Sequence, residues 1–212
     1  RNSYSLKAES TPLFMNPNKQ LTLADIANGV RLNVNDDPAL LFNINYSHIM
    51  QIRPNLPVDI GCVEYIAIGM PELSIYIPFY YGLTDIPTEY LLPPDGKVDI
   101  NSALWRYRKL QVLVLQNYPK YAPIVQNQLA NFEQEMYYKQ SEVEKAYIKI
   151  YEIDPEQADN LIQQFTEIII AQADHLVDKL TIQIANDLKM GKMTNADYEL
   201  MINNIQKKYS SN

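Results

Sequence analysis

The amino-acid sequence predicts an α+β chain, strand-rich in its first half and helical in its second. Twelve of the 13 prolines lie at or before Pro123 and five of the six glycines at or before Gly96, leaving only Pro155 and Gly191 beyond. Proline and glycine punctuate turns and strand edges, whereas long unbroken stretches permit helices. The apolar spacing changes with the punctuation, from a period of two to one near 3.6. Residues 1–98 are therefore expected to be strand-rich and residues 99–212 to hold a long helical hairpin and a terminal helix.

In the first part, Thr22 followed three residues later by Asp25 starts a short helix over Leu23 to Arg31, with Leu23, Ile26, Ala27 and Val30 on one face. Leu41 to Arg53 alternates Phe42, Ile44, Tyr46, His48, Met50 and Ile52 against Asn43, Asn45, Ser47, Ile49, Gln51 and Arg53, which predicts a strand ended by Pro54 and Pro57. Val63 to Gly69 and Ser74 to Tyr81 are rich in Ile, Tyr and Val and are joined by Met70, Pro71 and Glu72, so they read as a hairpin.

In the second part, Ser102 to Asn117 is expected to be helical, and Pro119 and Pro123 to reset the chain before a long helix over Ile124 to Ile153. Asp154, Pro155 and Gln157 form a capping pattern that opens the next helix, which runs to about Met190 with Leu161, Phe165, Ile168, Ile169, Leu176, Leu180 and Ile184 as its apolar stripe. Gly191 suits a left-handed stop, and Thr194 with Asp197 starts a last helix.

Composition narrows the function classes. With 18 Lys and Arg against 25 Asp and Glu, the net charge of -7 and the lack of a basic cluster speak against a nucleic-acid partner. The longest apolar runs, such as Phe165 to Ala171, are broken by Thr166 and Glu167, so no membrane span is expected. The single Cys62 cannot form an internal disulfide, which favours a reduced, cytoplasmic setting. No Cys or His spacing calls for a metal, and no cofactor is expected. The start at Arg1, without a signal core, reads as a fragment or processed product.

Five features bear on chemistry. His48 is the natural general base, yet a histidine beside Ile49 on a strand, with no Ser or Cys partner at recognisable spacing, reads better as a hydrogen-bonded structural group. His175, between Asp174 and Asp178, reads as a solvated helix residue. Gly61-Cys62 is the type of junction at which N-terminal-nucleophile precursors are cut; the alternative is a small buried residue opening a strand. Tyr76, Tyr80, Tyr81 and Tyr90, beside Phe79, suit either a pocket wall or sheet packing. Glu133, Glu135, Glu142 and Glu144 read as solvated helix faces.

The run Ser47-His48-Ile49-Met50-Gln51-Ile52-Arg53-Pro54-Asn55-Leu56-Pro57, then Ile60-Gly61 and Ile77-Pro78-Phe79-Tyr80-Tyr81-Gly82, resembles the later part of the dipeptidase A or PepD-like cysteine dipeptidases of the N-terminal-nucleophile superfamily. Asn101 to Leu110 looks like the helix that follows, and Tyr4 to Lys7 with the Leu21 to Val30 helix like the segment before. Cys62 stands where the family pattern has a second glycine, and Tyr81 where it has a small residue. The resemblance implies a four-layer αββα sandwich in which an amino-terminal cysteine attacks a dipeptide carbonyl, its own α-amino group serving as base. It places that cysteine in an amino-terminal half outside this chain. No catalytic residue is therefore assigned, and His48, Gln51 and Arg53 carry only supporting or structural roles. The implied partners are dipeptide substrates, bound by the complete enzyme, the missing amino-terminal segment, and a second copy in a homo-oligomer. Two rival readings remain: a non-enzymatic interaction protein that uses the helical hairpin, and a hydrolase activated by cleavage before Cys62.

Overall fold

The structure, a computed structural model, describes residues 21–31, 44–91, 98–99, 101–188 and 194–210. Helix α1, Leu23–Val30, opens on the expected capping box: Thr22 N–H donates to Asp25 Oδ2 at 2.9 Å and Asp25 N–H to Thr22 Oγ1 at 3.2 Å. Its apolar face is less buried than its spacing predicts. Ala27 is enclosed, whereas Ile26 and Val30 are each 39% exposed.

Three strands form an antiparallel sheet in the order β1, β2, β3: Tyr46–Ile52, Cys62–Ile68 and Ile77–Tyr80. β1 starts later than the alternation predicts, because its partner ends. Gly69, at φ 75°, turns β2 away after Ile68, and Gly69 N–H closes the ladder on the Asn45 carbonyl at 2.7 Å. Phe42 and the rest of 41–43 lie outside the described residues. A single helical turn, α2 over Val58–Gly61, fills the β1–β2 connection, and a 3-10 turn, Pro71–Leu73, fills the β2–β3 connection. β3 is shorter than Ser74 to Tyr81, since Ser74 leaves the ladder and donates its hydroxyl to the Met70 and Ile68 carbonyls.

The described second half is helical apart from short connections. α3, Ala103–Leu115, is capped by Ser102; α4 spans Tyr118–Tyr151, α5 Pro155–Asp187 and α6 Asn195–Ser210. α4 begins six residues before the expected Ile124. Pro119 sits in the first turn, where its absent N–H has no intrahelical acceptor to miss, and Pro123 forfeits one bond in the second. Asp154 caps α5 through the Gln157 N–H at 3.0 Å, and Thr194 and Asp197 form the box that opens α6. The expected stop at Gly191 lies outside the described residues.

α4 and α5 pack along each other as a hairpin, with α3 against α5. α5 turns Ile162, Phe165, Ile169, Val177, Leu180 and Ile184 inward, but Ile168, expected in the same stripe, is 54% exposed. The sheet lies on this layer with one face. Side chains of Ser47, Ile49 and Gln51 from β1, Val63, Tyr65 and Ala67 from β2 and Tyr80 from β3 share that face by register. The other face opens progressively toward β1, where Tyr46, Met50 and Ile52 are 61%, 68% and 70% exposed. No described helix is long and apolar enough to cross a membrane.

Gly69 carries a double constraint. Its φ is left-handed, and a Cβ there would stand 2.5 Å from Gln111 Oε1, whose amide binds the Ile68 carbonyl and the Ser74 hydroxyl. Gly69→Ala is expected to cost about 2–3 kcal/mol, read as a lowered denaturant midpoint in equilibrium unfolding.

Candidate functional site

The residues singled out on β1 do not form one site, because strand alternation divides them. His48 points to the open face, where its Nδ1 lies 2.7 Å from Glu64 Oε1 of β2; both side chains are about half exposed, at 49% and 42%. The partner is legible only through register: His48 pairs with Ile66, and Glu64 is its diagonal neighbour. Met50, Ile52 and Cys62 share this side.

Gln51 and Arg53 belong to the opposite, helix-facing side. Arg53 binds Glu144 of α4 in bidentate fashion, Nη1 to Oε2 at 2.6 Å and Nη2 to Oε1 at 2.9 Å, and Nη2 also donates to the Ile60 carbonyl. Tyr80 donates to Glu144 Oε1 at 3.0 Å, and the Gln140 amide reaches both Glu144, at 3.3 Å, and the Tyr65 hydroxyl, at 2.8 Å. Tyr65 in turn donates to Gln51 Oε1 at 3.3 Å. Burial, then the Glu144 charge, holds the Tyr80 phenol well above its ordinary pKa, and burial raises Tyr65 to about 12 against the opposing Gln140 bond. Burial works against the Arg53 charge, but the hydrogen bond and charge of Glu144 outweigh it and raise its pKa. The network is thus a fixed cation–carboxylate core with neutral phenols around it, suited to holding β1, β2 and β3 on α4.

One sequence expectation is corrected here. Glu133 and Glu144 are not solvated: Glu133 is 4% exposed and binds Arg31 Nη2 at 2.5 Å and the Tyr76 N–H at 2.9 Å, while Glu144 anchors Arg53. Glu135 and Glu142 do face solvent, paired to Lys139 and Lys145. The tyrosines also divide. Tyr76 and Tyr80 are core, Tyr90 meets Phe79 edge-on at 5.1 Å, and Tyr81 is 71% exposed. His175 is exposed, beside a shallow groove of about 550 Å³ that Phe132 and Ile168 also line.

Cys62 is half-buried at the first position of β2. The Gly61–Cys62 peptide is bound on both flanks: Arg53 N–H donates to the Gly61 carbonyl at 2.8 Å and Tyr81 N–H to the Cys62 carbonyl at 3.0 Å. A Cβ on Gly61 would meet the Arg53 carbonyl at 2.9 Å, which accounts for glycine there without a cleavage role. Among the described residues, no group of three or more His, Cys, Asp or Glu side chains is placed to hold a metal ion.

Residues 30–131 match the model of peptidase family C69. The chain carries a peptidase family C69 region. Within it lie the whole sheet, α3 and both clamping arginines, whereas Glu133 and Glu144 follow its end. The chain is similar to a probable dipeptidase of Salmonella dublin, 34% identical over 110 residues that cover 45% of this chain and 24% of that protein. It is also similar to a probable dipeptidase B of Lactococcus lactis, 32% identical over 77 residues (36% and 16%), and to dipeptidase A of Lactobacillus helveticus, 30% identical over 78 residues (37% and 16%). The matched stretch thus spans about a quarter or less of each relative's length.

Glu144→Ala would leave the Arg53 guanidinium facing a low-dielectric layer without its carboxylate. Because Arg53 keeps 26% of its side chain exposed, the expected loss is about 2 kcal/mol, below the 3–5 kcal/mol of a fully enclosed pair. Chemical denaturation in a double-mutant cycle with Arg53→Met should return most of that loss as coupling. Cys62→Ala, at a half-buried strand end, should cost about 1 kcal/mol or less, and intact-mass measurement of the parent chain should find no product beginning at Cys62.

Proposed function

We propose that this chain is the carboxyl-terminal part of a cysteine dipeptidase, whose amino-terminal nucleophile lies in a segment outside it. The family C69 region, with relatives named dipeptidases, is the observation that carries this reading. The open sheet face supports it. In an αββα sandwich a second sheet would cover Tyr46, Met50 and Ile52, burying side chains that water now reaches, at about 25 cal/mol per Å² of apolar surface removed. Residues 1–98 supply strands of one sheet and residues 99–212 the helical layer behind it, in a cytoplasmic enzyme that acts on dipeptides.

On this reading the β1 residues have distinct supporting roles. His48, fixed by Glu64, offers a polar group within the sandwich interior, while Gln51 and Arg53 brace the same strand from behind through Tyr65 and Glu144. None of them is assigned to the chemistry. Covalent catalysis without its nucleophile retains at best binding effects.

A second reading, an interaction module working through the helical hairpin, draws on the groove with exposed Ile168. The two separate in one experiment. The isolated chain should bind hydrophobic dye, self-associate in sedimentation and release no amino acids from simple dipeptides. Co-expression with the upstream coding segment should abolish dye binding and give turnover that a thiol reagent stops. Dipeptide turnover by the isolated chain, or a monodisperse, dye-silent monomer, would defeat the dipeptidase-fragment reading.

A further inference from the structure

Glu72 lies in the 3-10 turn between β2 and β3, is 6% exposed, and has no hydrogen-bond partner on either carboxylate oxygen. A carboxylate stripped of water and left without donors is costly, and the neutral acid is much less so. The nearest cation in effect, Arg31, is already engaged. Its Nε donates to the Pro71 carbonyl at 3.2 Å and its Nη1 to Asn28 at 3.1 Å. Its Nη2 reaches the Ser74 carbonyl at 3.3 Å and Glu133 at 2.5 Å, with the guanidinium 5.2 Å from the Tyr76 ring centre. Among the described residues, the other ionisable groups around this corner are Tyr76, on the approach to β3, and Tyr118 and Glu133 of α4. None of them donates to Glu72.

The same turn fastens α1. Pro71 and Ser74, whose carbonyls hold Arg31, flank Glu72 on either side, and Arg31 is the residue that ends α1. Within the helix itself, Ala27 is the one fully buried side chain, with Leu23 partly buried against the core. An ionised Glu72 would either swing the turn toward water or draw Arg31 away from Glu133 and Ser74. Either movement undoes the attachment.

We propose that Glu72 is a proton-operated latch for the α1 strap, seated as the neutral acid and released when it ionises. Burial is the largest influence on its carboxyl and raises the pKa to about 7, against the pull of its own backbone N–H and the Arg31 charge. An unfolded glutamate ionises in the ordinary carboxylate range. The seated form therefore holds the extra proton between that range and about 7. Stability of the seat is full on the acid side, declines as pH rises through this window, and reaches its floor above it.

Hydrogen exchange on the full chain, corrected for intrinsic rates, tests the latch. Between about pH 5 and about pH 8, protection of the Leu73 and Arg31 amides should fall by on the order of tenfold or more in the wild-type chain, and should stay level in Glu72→Gln. An equal fall in both proteins, or none in the wild type, overturns the proposal. Should the variant fail to fold, carboxyl-carbon NMR of the wild type decides directly. A Glu72 carboxyl that titrates in the ordinary carboxylate range would overturn the latch, and one that titrates near neutrality supports it.

Discussion

Two arginine–glutamate clamps fix how the strand-rich half sits on the helical half. Glu133 and Glu144 are eleven residues apart on α4, three turns of helix, so both point from one stripe. Arg31 grips the first from the end of α1, and Arg53 the second from the exit of β1. Between them on the same stripe, Gln140 receives the strands through Tyr65. Enclosed ion pairs contribute little net stability compared with apolar replacements, but breaking one is costly. Their consequence here is geometric. The sheet can meet α4 in one register and one orientation, because both arginines must find their carboxylates at once.

Most of the helices were legible because their signals are local. Capping patterns at Thr22 with Asp25, Asp154 with Gln157 and Thr194 with Asp197 each lie within a few residues of the bond they make. Pro123 misled, because proline breaks helix interiors but costs little within the first two turns. The sheet was legible as strands but not as faces. Alternation says which side chains share a side, and the apolar set of β1 is the obvious candidate for the core. Instead Ser47, Ile49 and Gln51 face the helices, because Tyr76 and Tyr65 receive the polar members.

The clamps themselves could not be read from the chain. Arg31 and Glu133 are 102 residues apart, Arg53 and Glu144 are 91, and α4 distributes charge around its circumference, so its glutamates look alike in sequence. The family resemblance of the Ser47 to Pro57 run carried the right relatives while saying nothing of how its residues divide. His48 joins Glu64 on one side of the strand, and Arg53 joins Glu144 on the other. Both arginines belong to the family C69 region and both glutamates follow it, so the clamps tie that region to the chain beyond residue 131.

The two faces of the sheet also differ in the kind of information they hold. The helix side adds to its apolar contacts a set of directional bonds that converge on Glu144, each with a required angle. The open side is written almost wholly in Tyr46, Met50, Ile52 and their neighbours, whose contacts reward area and are indifferent to small displacements. A layer resting there keeps freedom to slide along the strands and to rotate over them until it engages the one polar landmark, His48 with Glu64. Under the proposed sandwich, that pair would act as a locating pin on an otherwise smooth bearing surface.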